Sequence, residues 1–157
     1  MRITHNDTKF NNILFDSSDR ALCIVDLDTV MPGSILFDFG DSIRTGANTA
    51  DEDEKDLSRV DINLPIYEAY TRGFLKSTLS ALTDIEIENL AFSARFMTFI
   101  IGLRFLTDFV DGDRYFRTSY PGHNLDRAKV QFRLIESMER KADRMQAIVM
   151  EEANSLA

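Results

Sequence analysis

Apolar residues come in short runs near the start of the chain. Residues 13–16 and 21–25 form two such runs, and the polar stretch 17–20, Ser-Ser-Asp-Arg, lies between them. Short apolar runs separated by turn residues are typical of paired strands, so the pattern predicts a β-hairpin. Residues 31–34 are predicted to form a loop that ends in a helix-capping serine, followed by a short helix over residues 34–45.

Helical spacing of apolar positions dominates the rest of the chain. Pro65 lies near the first turn of a helix predicted over residues 64–80. Residues 83–86, Thr-Asp-Ile-Glu, have the pattern of a capping box and open a helix predicted to end near Val110. Apolar residues surround most of that helix, so we expect it to be the buried centre of the domain. A last helix is predicted over residues 124–153, and the fold class is therefore mainly α with a small β-hairpin.

Composition and charge indicate how many domains the chain forms and which classes of partner it can bind. The chain has 157 residues, of which 44 % are apolar, and this favours a single domain with a substantial core. The formal charge of −8 argues against nucleic acid or an anionic membrane as partner, because both would repel such a surface. The acidic stretch 50–56 is interpreted as a solvated loop or helix start.

Cysteine content and hydropathy predict a cytoplasmic protein. Cys23 is the only cysteine, so no disulfide can form within the chain, as suits a reducing compartment. The N-terminus lacks the apolar core of a signal peptide. The apolar run from Phe96 to Leu106 is interrupted by Thr98 and Arg104, and we expect it to be too short to span a membrane.

The strongest chemical pattern lies in the first dozen residues. Residues 5–12 contain H-x-D-x-x-x-x-N, in which Asp7 can accept a hydrogen bond from an attacking hydroxyl. Asn12 precedes the first predicted strand and Asp26 follows the second, so antiparallel pairing would bring their Cα atoms within about 5 Å of each other. Their amide and carboxylate oxygens are hard ligands that suit Mg²⁺. The pattern predicts a phosphoryl-transfer site with Asp7 as the hydroxyl-orienting base and Asn12 and Asp26 as metal ligands.

Other interpretations of these residues remain open. Asp7 could be a turn residue, and Asp26 could cap the end of a strand. Asp28 is either a second metal contact or a brace of the loop. His5 is expected to brace the loop by hydrogen bonding rather than to carry a proton.

A second metal-binding pattern occurs further along the chain. Asp38-Phe39-Gly40 matches the D-F-G of protein kinases, but the surrounding residues predict a short helix rather than the end of a strand. We therefore assign the metal to Asp26. Asp38 is expected to have a structural role, bonding to the loop that contains Asp7.

Three segments carry a family resemblance: residues 5–16 (HNDTKFNNILFD), 25–33 (VDLDTVMPG) and 103–116 (LRFLTDFVDGDRYF). They resemble the N-acetylhexosamine 1-kinases, within the aminoglycoside phosphotransferase and choline kinase-like superfamily. The resemblance implies the C-terminal lobe of the protein kinase-like fold. It also implies phosphorylation of the anomeric hydroxyl of an N-acetylhexosamine, with ATP as co-substrate and Mg²⁺ as cofactor.

The same resemblance assigns roles to individual residues. Asp7 is implied to be the catalytic base and to contact the sugar, and Asn12 and Asp26 to bind the metal. Arg104 and Tyr115 are implied to contact the amino-sugar substrate. Alternatively, Arg104 is a salt-bridged helix residue and Tyr115 a packing residue.

One part of the family pattern is missing. Family members carry an N-terminal lobe with a glycine-rich loop over the nucleotide, whereas the seven glycines of this chain are scattered and form no G-x-G-x-x-G. We therefore expect residues 1–157 to be a single C-terminal lobe without an N-terminal lobe. Residues 1–33 would hold the catalytic loop, the hairpin and the metal-binding segment, and residues 34–157 the helical substrate-binding part.

A lone lobe of this kind is expected to be inactive until an N-terminal lobe joins it. A homodimer or a missing N-terminal lobe is expected to cover its exposed face. The alternative function is a non-catalytic remnant of such a kinase that binds a sugar or a partner.

Overall fold

The computed structural model describes residues 1–156. Its four short strands form two separate antiparallel pairs. Strands β2 and β3 form the predicted hairpin, with Ile13 opposite Ile24, and strand β1 pairs with β4. The strand bounds are β1 Arg2–Thr4, β2 Ile13–Phe15, β3 Ala21–Ile24 and β4 Met31–Gly33.

The β1–β4 pair differs from the sequence prediction, which placed a loop at residues 31–34. Pro32 and Gly33 are poor strand formers, so local propensity favours a loop there. The strand forms because Thr4 lies opposite Met31, in a pairing between residues far apart in sequence. The alternation of apolar and polar residues within either segment does not indicate which distant segment it pairs with.

Six α-helices follow the strands within residues 1–156, and the structure is mostly helical, as predicted. The predicted helices at residues 83–110 and 124–153 are each divided in two, at Asn89 and at Lys141. Neither junction contains the glycine or proline that marks a break in a sequence. The helix bounds are α1 Ile35–Gly46, α2 Leu64–Thr78, α3 Asp84–Glu88, α4 Leu90–Val110, α5 His123–Arg140 and α6 Ala142–Leu156.

Two glycines let the central helices approach closely. Gly40 of α1 lies against the backbone of Ser93 in α4, where a Cβ atom would collide with the Ser93 carbonyl. Gly102 of α4 faces α5, and a Cβ atom there would lie 2.9 Å from the Cβ atom of Gln131. Helix α4 is thereby fixed against α1 on one side and α5 on another.

Helix α4 is less buried than its composition predicts. Five of its large apolar side chains are exposed on one side: Phe92, Phe96, Phe99, Leu103 and Val110. With 21 residues, it is long and apolar enough to cross a membrane by length and composition alone, so the expectation of too short an apolar run was wrong. Its other side packs against α1 and α5, as the core helix of a helical domain does.

The first strand is tied to the helical part by an ion pair. Two of the guanidinium nitrogens of Arg2, Nε and Nη2, donate to the Glu86 carboxylate, at 2.9 and 2.6 Å. The backbone N–H of Thr83 donates to the same carboxylate at 2.8 Å, which completes the predicted capping box. The Arg2 hydrogen bond, followed by that from Thr83, lowers the pKa of Glu86 to about 2.

This pKa predicts an acid-dependent loss of stability. A carboxyl group whose pKa is lower in the folded state stabilises the fold above its unfolded pKa, here 4.5, and loses that contribution as pH falls towards 2. At pH 7, Glu86→Gln should lower Tm by about 2–4 °C, a small shift because the ion pair is partly exposed to solvent. The difference from the unmodified protein should shrink between pH 4.5 and 2. Thermal unfolding followed by circular dichroism measures it.

The matched control is Glu88→Gln. Glu88 is exposed two residues further on and forms no ion pair with the described residues. Equal Tm losses for the two variants would show that the Arg2–Glu86 pair does not tie β1 to α3.

Candidate functional site

The loop of residues 5–12 is fixed by Asp38, in the first turn of α1. The buried Asp38 carboxylate accepts the backbone N–H groups of His5 and Asn6, at 2.9 and 2.8 Å. The hydroxyl of Thr8 donates to the Asp38 carbonyl oxygen at 2.6 Å. The predicted structural role of Asp38 is therefore confirmed. His5 contributes through its backbone, because neither ring nitrogen has a hydrogen-bond partner among the described residues.

Two hydroxyl groups of α1 hold the rest of the loop. Ser42 Oγ donates to the carbonyl oxygen of Thr8 at 2.9 Å, and Thr45 Oγ1 accepts the backbone N–H of Phe10 at 3.0 Å. With Asp38, these residues form a polar stripe at helical spacing on one face of α1. That spacing is visible in the sequence and was the signal that could have identified them.

The candidate catalytic residues meet at the end of this loop. The amide nitrogen of Asn12 donates to Asp7 Oδ2 at 3.0 Å and to the Asp7 carbonyl oxygen at 2.8 Å. Lys9 Nζ lies 2.8 Å from Asp7 Oδ2 and 3.6 Å from Asp26 Oδ2. The structure thus joins Asp7 directly to Asn12, and joins Asp7 to Asp26 through Lys9, a residue that sequence reasoning did not single out.

The local electrostatics keep Asp7 ionised. Partial burial works in the opposite direction, but hydrogen bonds from Lys9 and Asn12 and the Lys9 charge lower the pKa of Asp7 below its ordinary value. The hydrogen bond to Asp7 likewise raises the pKa of Lys9. At neutral pH the pair is a carboxylate and an ammonium, and the carboxylate can accept a further hydrogen bond.

The hairpin positions Asn12 and Asp26. The backbone N–H of Val25 donates to the carbonyl oxygen of Asn12 at 2.9 Å, so the partner of Asn12 is the residue before Asp26. Asp26 then turns the chain with a φ of 65°, in the left-handed region that aspartate tolerates. The Asn12 side chain is buried, while that of Asp26 is about half exposed.

These residues fit a hard cation. The amide nitrogen of Asn12 is used by Asp7, and its oxygen accepts no hydrogen bond from the described residues. The Asp26 carboxylate is accessible on the next strand. Asp28 is exposed and bonds to none of residues 1–156, so it does not brace the loop.

Arg104 and Tyr115 meet in a separate cleft of about 440 Å³, formed by α4 and the loop after it. The Arg104 guanidinium lies 5.4 Å from the Tyr115 ring centre and 5.3 Å from that of Phe116. Arg104 forms no ion pair with the described residues, and Tyr115 is 73 % exposed. The salt-bridge alternative for Arg104 is therefore not seen, whereas the Tyr115 ring does pack edge-on against Phe116, with ring centres 4.8 Å apart, and its other side is open to a ligand.

The buried Asp108 carboxylate holds the loop that carries Tyr115. It accepts the backbone N–H groups of Arg114, Tyr115 and Phe116 at 2.8–2.9 Å, and the amide of Asn124 at 2.9 Å. Although burial opposes it, these hydrogen bonds lower the pKa of Asp108. Asp108 therefore serves as a fixed anchor for the cleft.

A comparison with known families bears on the first part of the chain. The family model described as the phosphotransferase enzyme family matches residues 1–71. The matched segment contains Asp7, Lys9, Asn12, Asp26 and the bracing helix α1, and it ends before the Arg104–Tyr115 cleft. The match supports the assignment of this segment to the aminoglycoside phosphotransferase/kinase-like superfamily.

Proposed function

We propose that the chain is the catalytic and substrate-binding lobe of an ATP- and Mg²⁺-dependent sugar kinase, acting on the anomeric hydroxyl of an N-acetylhexosamine. The observation that carries the proposal is the cluster of Asp7, Lys9, Asn12 and Asp26, built on the segment that matches the phosphotransferase family. The choice of sugar rests on the resemblance of residues 5–16, 25–33 and 103–116 to the hexosamine kinases.

In the proposed reaction Asp7 orients the acceptor hydroxyl. Its lowered pKa keeps it ionised at neutral pH, so it can accept a hydrogen bond from the hydroxyl, and makes it a weak base. Phosphoryl transfer passes through a loose transition state, so positioning of the hydroxyl matters more than early removal of its proton. Lys9 and Asn12 hold the carboxylate in place, since both contact its Oδ2 atom, at 2.8 and 3.0 Å.

The Asn12 side-chain oxygen and the Asp26 carboxylate are the proposed holders of Mg²⁺. The bound ion would neutralise charge on the ATP phosphates. No group of three or more His, Cys, Asp and Glu side chains comes together as a metal site within residues 1–156. Two protein oxygens are in keeping with Mg²⁺, which commonly takes one or two carboxylates together with phosphates and water.

Arg104 and Tyr115 are proposed to contact the sugar. The guanidinium offers several N–H donors to hydroxyl or acetamido oxygens, and the exposed aromatic ring offers an apolar face. The single exposed Cys23 and the acidic surface are compatible with a cytoplasmic location.

Turnover is proposed to need a nucleotide-binding lobe besides the described residues. The hairpin and the following turn expose a set of large apolar side chains, suited to contact with such a lobe: Leu14, Phe15, Leu22, Ile24 and Leu27. Contiguous exposed apolar surface marks interaction sites in soluble proteins. A second copy of the chain is the alternative occupant.

An activity assay with two proteins tests the proposal. The 157-residue chain alone should show negligible transfer from ATP, because positioning supplies most of the catalysis and half of the positioning groups belong to the other lobe. A fusion to the nucleotide-binding lobe of a kinase from the matched family should form sugar 1-phosphate, detected by ³¹P NMR. The acceptor panel is N-acetylglucosamine, N-acetylgalactosamine, glucosamine, choline and an aminoglycoside.

The outcomes of this assay distinguish between the candidate functions. Transfer only to choline or to the aminoglycoside would contradict the choice of sugar, while supporting a phosphotransferase. Strong activity of the isolated chain would contradict the need for a second lobe. Sugar binding without turnover in the fusion would favour the non-catalytic, sugar-binding alternative.

A further inference from the structure

A polar pocket of about 240 Å³ adjoins the loop of residues 5–12. We call it the Lys9 pocket. Lys9 and Asn11 of the loop form one side, Arg44 of α1 and Glu52 form another, and Gln131 of α5 completes it. None of these residues lines the Arg104–Tyr115 cleft, so the two sites can be tested separately.

The acidic stretch 50–56 is a loop whose side chains are partly or fully exposed, as interpreted from the sequence, and its first three residues also line one wall of the Lys9 pocket. Glu52 accepts a hydrogen bond from Arg44 Nη1 at 2.8 Å, and Asp53 lies 3.0 Å from His123 Nε2. These pairs attach the stretch to α1 and α5. Sequence reasoning could not identify the partners because they lie on separate helices.

The charges of the pocket offset one another. Burial opposes the charge of the Arg44 guanidinium, but Asp41 and Glu52 raise the pKa of Arg44 above its ordinary value, so it stays charged. Its Nε donates to Asp41 at 2.9 Å. Lys9 and Arg44 are balanced by the nearby Asp51 and Glu52 carboxylates, which also line the pocket. A neutral, hydrogen-bonding ligand suits such a lining better than an anion.

Gln131 supplies the independent sign of a ligand. Its side chain is only 1 % exposed, and its Oε1 has no hydrogen-bond partner among the described residues. A buried polar group without a hydrogen-bond partner destabilises the fold. Gly102 lies against the Cβ and Cγ atoms of Gln131, which limits how far the side chain can move. The Gln131 side-chain amide is therefore suited to form a hydrogen bond with a polar group of a ligand.

The position of the pocket connects it with the proposed reaction. Lys9 lines it and donates to Asp7 at 2.8 Å; Asp7 does not itself line the pocket, so the reacting hydroxyl has to lie at the Lys9 end of the pocket to reach it. A general base has to lie within hydrogen-bond reach of the hydroxyl it serves. The volume is below the ~300–1,000 Å³ of sites for drug-sized ligands, and is suited to a ligand the size of one sugar ring.

We propose that the Lys9 pocket binds the hydroxyl-bearing ring of the acceptor, a neutral monosaccharide, and that Gln131 and Glu52 hydrogen-bond to it. This inference rests on the proposed function, since it places that reaction's acceptor. Gln131 then determines specificity by requiring a polar group on the ligand where its amide lies. This placement competes with the sugar contact proposed above for Arg104 and Tyr115, since no residue lines both sites, and the binding test below decides between them.

The first test is direct binding to the 157-residue chain, without ATP. N-acetylglucosamine and N-acetylgalactosamine are titrated to several times ~1 mM, the upper end of typical KM values, and followed by two-dimensional NMR of backbone and side-chain amides. We expect shifts at the side-chain amides of Gln131 and Asn11. Shifts confined to residues around Tyr115 would overturn this inference and leave the proposed sugar kinase intact. Absence of sugar binding would also overturn it, while turnover in the fusion still decides the function.

The second test uses Gln131→Met, which removes the amide and keeps the length of the side chain. Sugar binding should weaken by about 2–10-fold, the effect of one neutral hydrogen bond, whereas Tm should be unchanged or higher because an unpaired amide has been removed. A purely structural role for Gln131 would lower Tm and leave binding unchanged, and this would overturn the inference. Gln146→Met on α6 makes the same chemical change outside the pocket and should leave binding as it was.

Discussion

Replacing Asp7 by asparagine should lower kcat by about 10²–10⁴ in the fusion that contains a nucleotide-binding lobe, the usual loss when a general base is removed. An asparagine side chain keeps the size of the aspartate but cannot accept the hydroxyl proton, and it removes the charge that pairs with Lys9. The Kd for ATP should change little, because Asp7 faces the acceptor in the proposed reaction. Single-turnover rates and nucleotide titrations measure the two effects separately.

Asp19→Asn is the matched control for this prediction. Asp19 lies in the hairpin turn with a φ of 56°, a conformation that asparagine adopts as readily as aspartate. This variant should keep the unmodified kcat. A near-normal kcat for Asp7→Asn would remove Asp7 from the reaction, and the loop of residues 5–12 would then be structural.

Replacing Asp26 by alanine should steeply raise the Mg²⁺ concentration needed for half-maximal activity. The substitution removes one of the two proposed protein ligands and leaves only the Asn12 oxygen. It also removes the second carboxylate near Lys9, at 3.6 Å. The Asp26 side chain is about half exposed, so its loss affects the fold mainly through the φ of 65°, which alanine tolerates less well than aspartate, while loss of a charged ligand weakens metal binding. Activity measured across a Mg²⁺ titration, at saturating ATP, gives the result.

Asp38→Ala is the comparison that distinguishes the two candidate metal segments. Asp38 is buried and accepts the backbone N–H groups of His5 and Asn6, so its loss leaves two donors without partners. Each unpaired donor is destabilising by about 1–3 kcal/mol, so Tm should fall. The Mg²⁺ concentration for half-maximal activity should remain unchanged. If Asp38→Ala shifts that concentration and Asp26→Ala does not, the Asp38-Phe39-Gly40 segment is the metal site.

Local patterns in the sequence predicted the elements that depend on nearby residues. The hairpin was visible from two apolar runs and a polar turn, and the capping box from Thr83 and Glu86. The pairing of β1 with β4 was not visible, because strand partners distant in sequence leave no trace in either segment. The break at Lys141 coincides with a tertiary contact, the bond from Lys141 Nζ to Asp61 Oδ2 at 2.7 Å, whereas the side chain of Asn89, at the other break, bonds locally to the Ile85 carbonyl oxygen.

The residues of the candidate site likewise divide into those that local sequence patterns predicted and those that only the fold brings together. The H-x-D-x-x-x-x-N spacing predicted Asp7 and Asn12, and the structure joins them by a hydrogen bond, though their roles stay predictions. Lys9 could not be distinguished from other surface lysines, since its importance comes from its approach to both Asp7 and Asp26. The Lys9 pocket needs segments more than 100 residues apart in the chain, at Lys9 and Gln131, and sequence spacing does not report such proximity.

The contact at Gly40 makes α1 a rigid connection between α4 and the loop of residues 5–12. One side of the helix touches the backbone of α4 with no side chain between them, and Asp38, on the same helix, holds the loop that carries Asp7. Tightly packed elements shift as rigid bodies rather than deform. Any displacement of α4 is therefore passed to the Asp7 carboxylate, where a misplacement of about 1 Å can reduce a rate a hundredfold. In the proposed reaction, substitutions along the α1–α4 contact are therefore expected to change turnover through the position of Asp7.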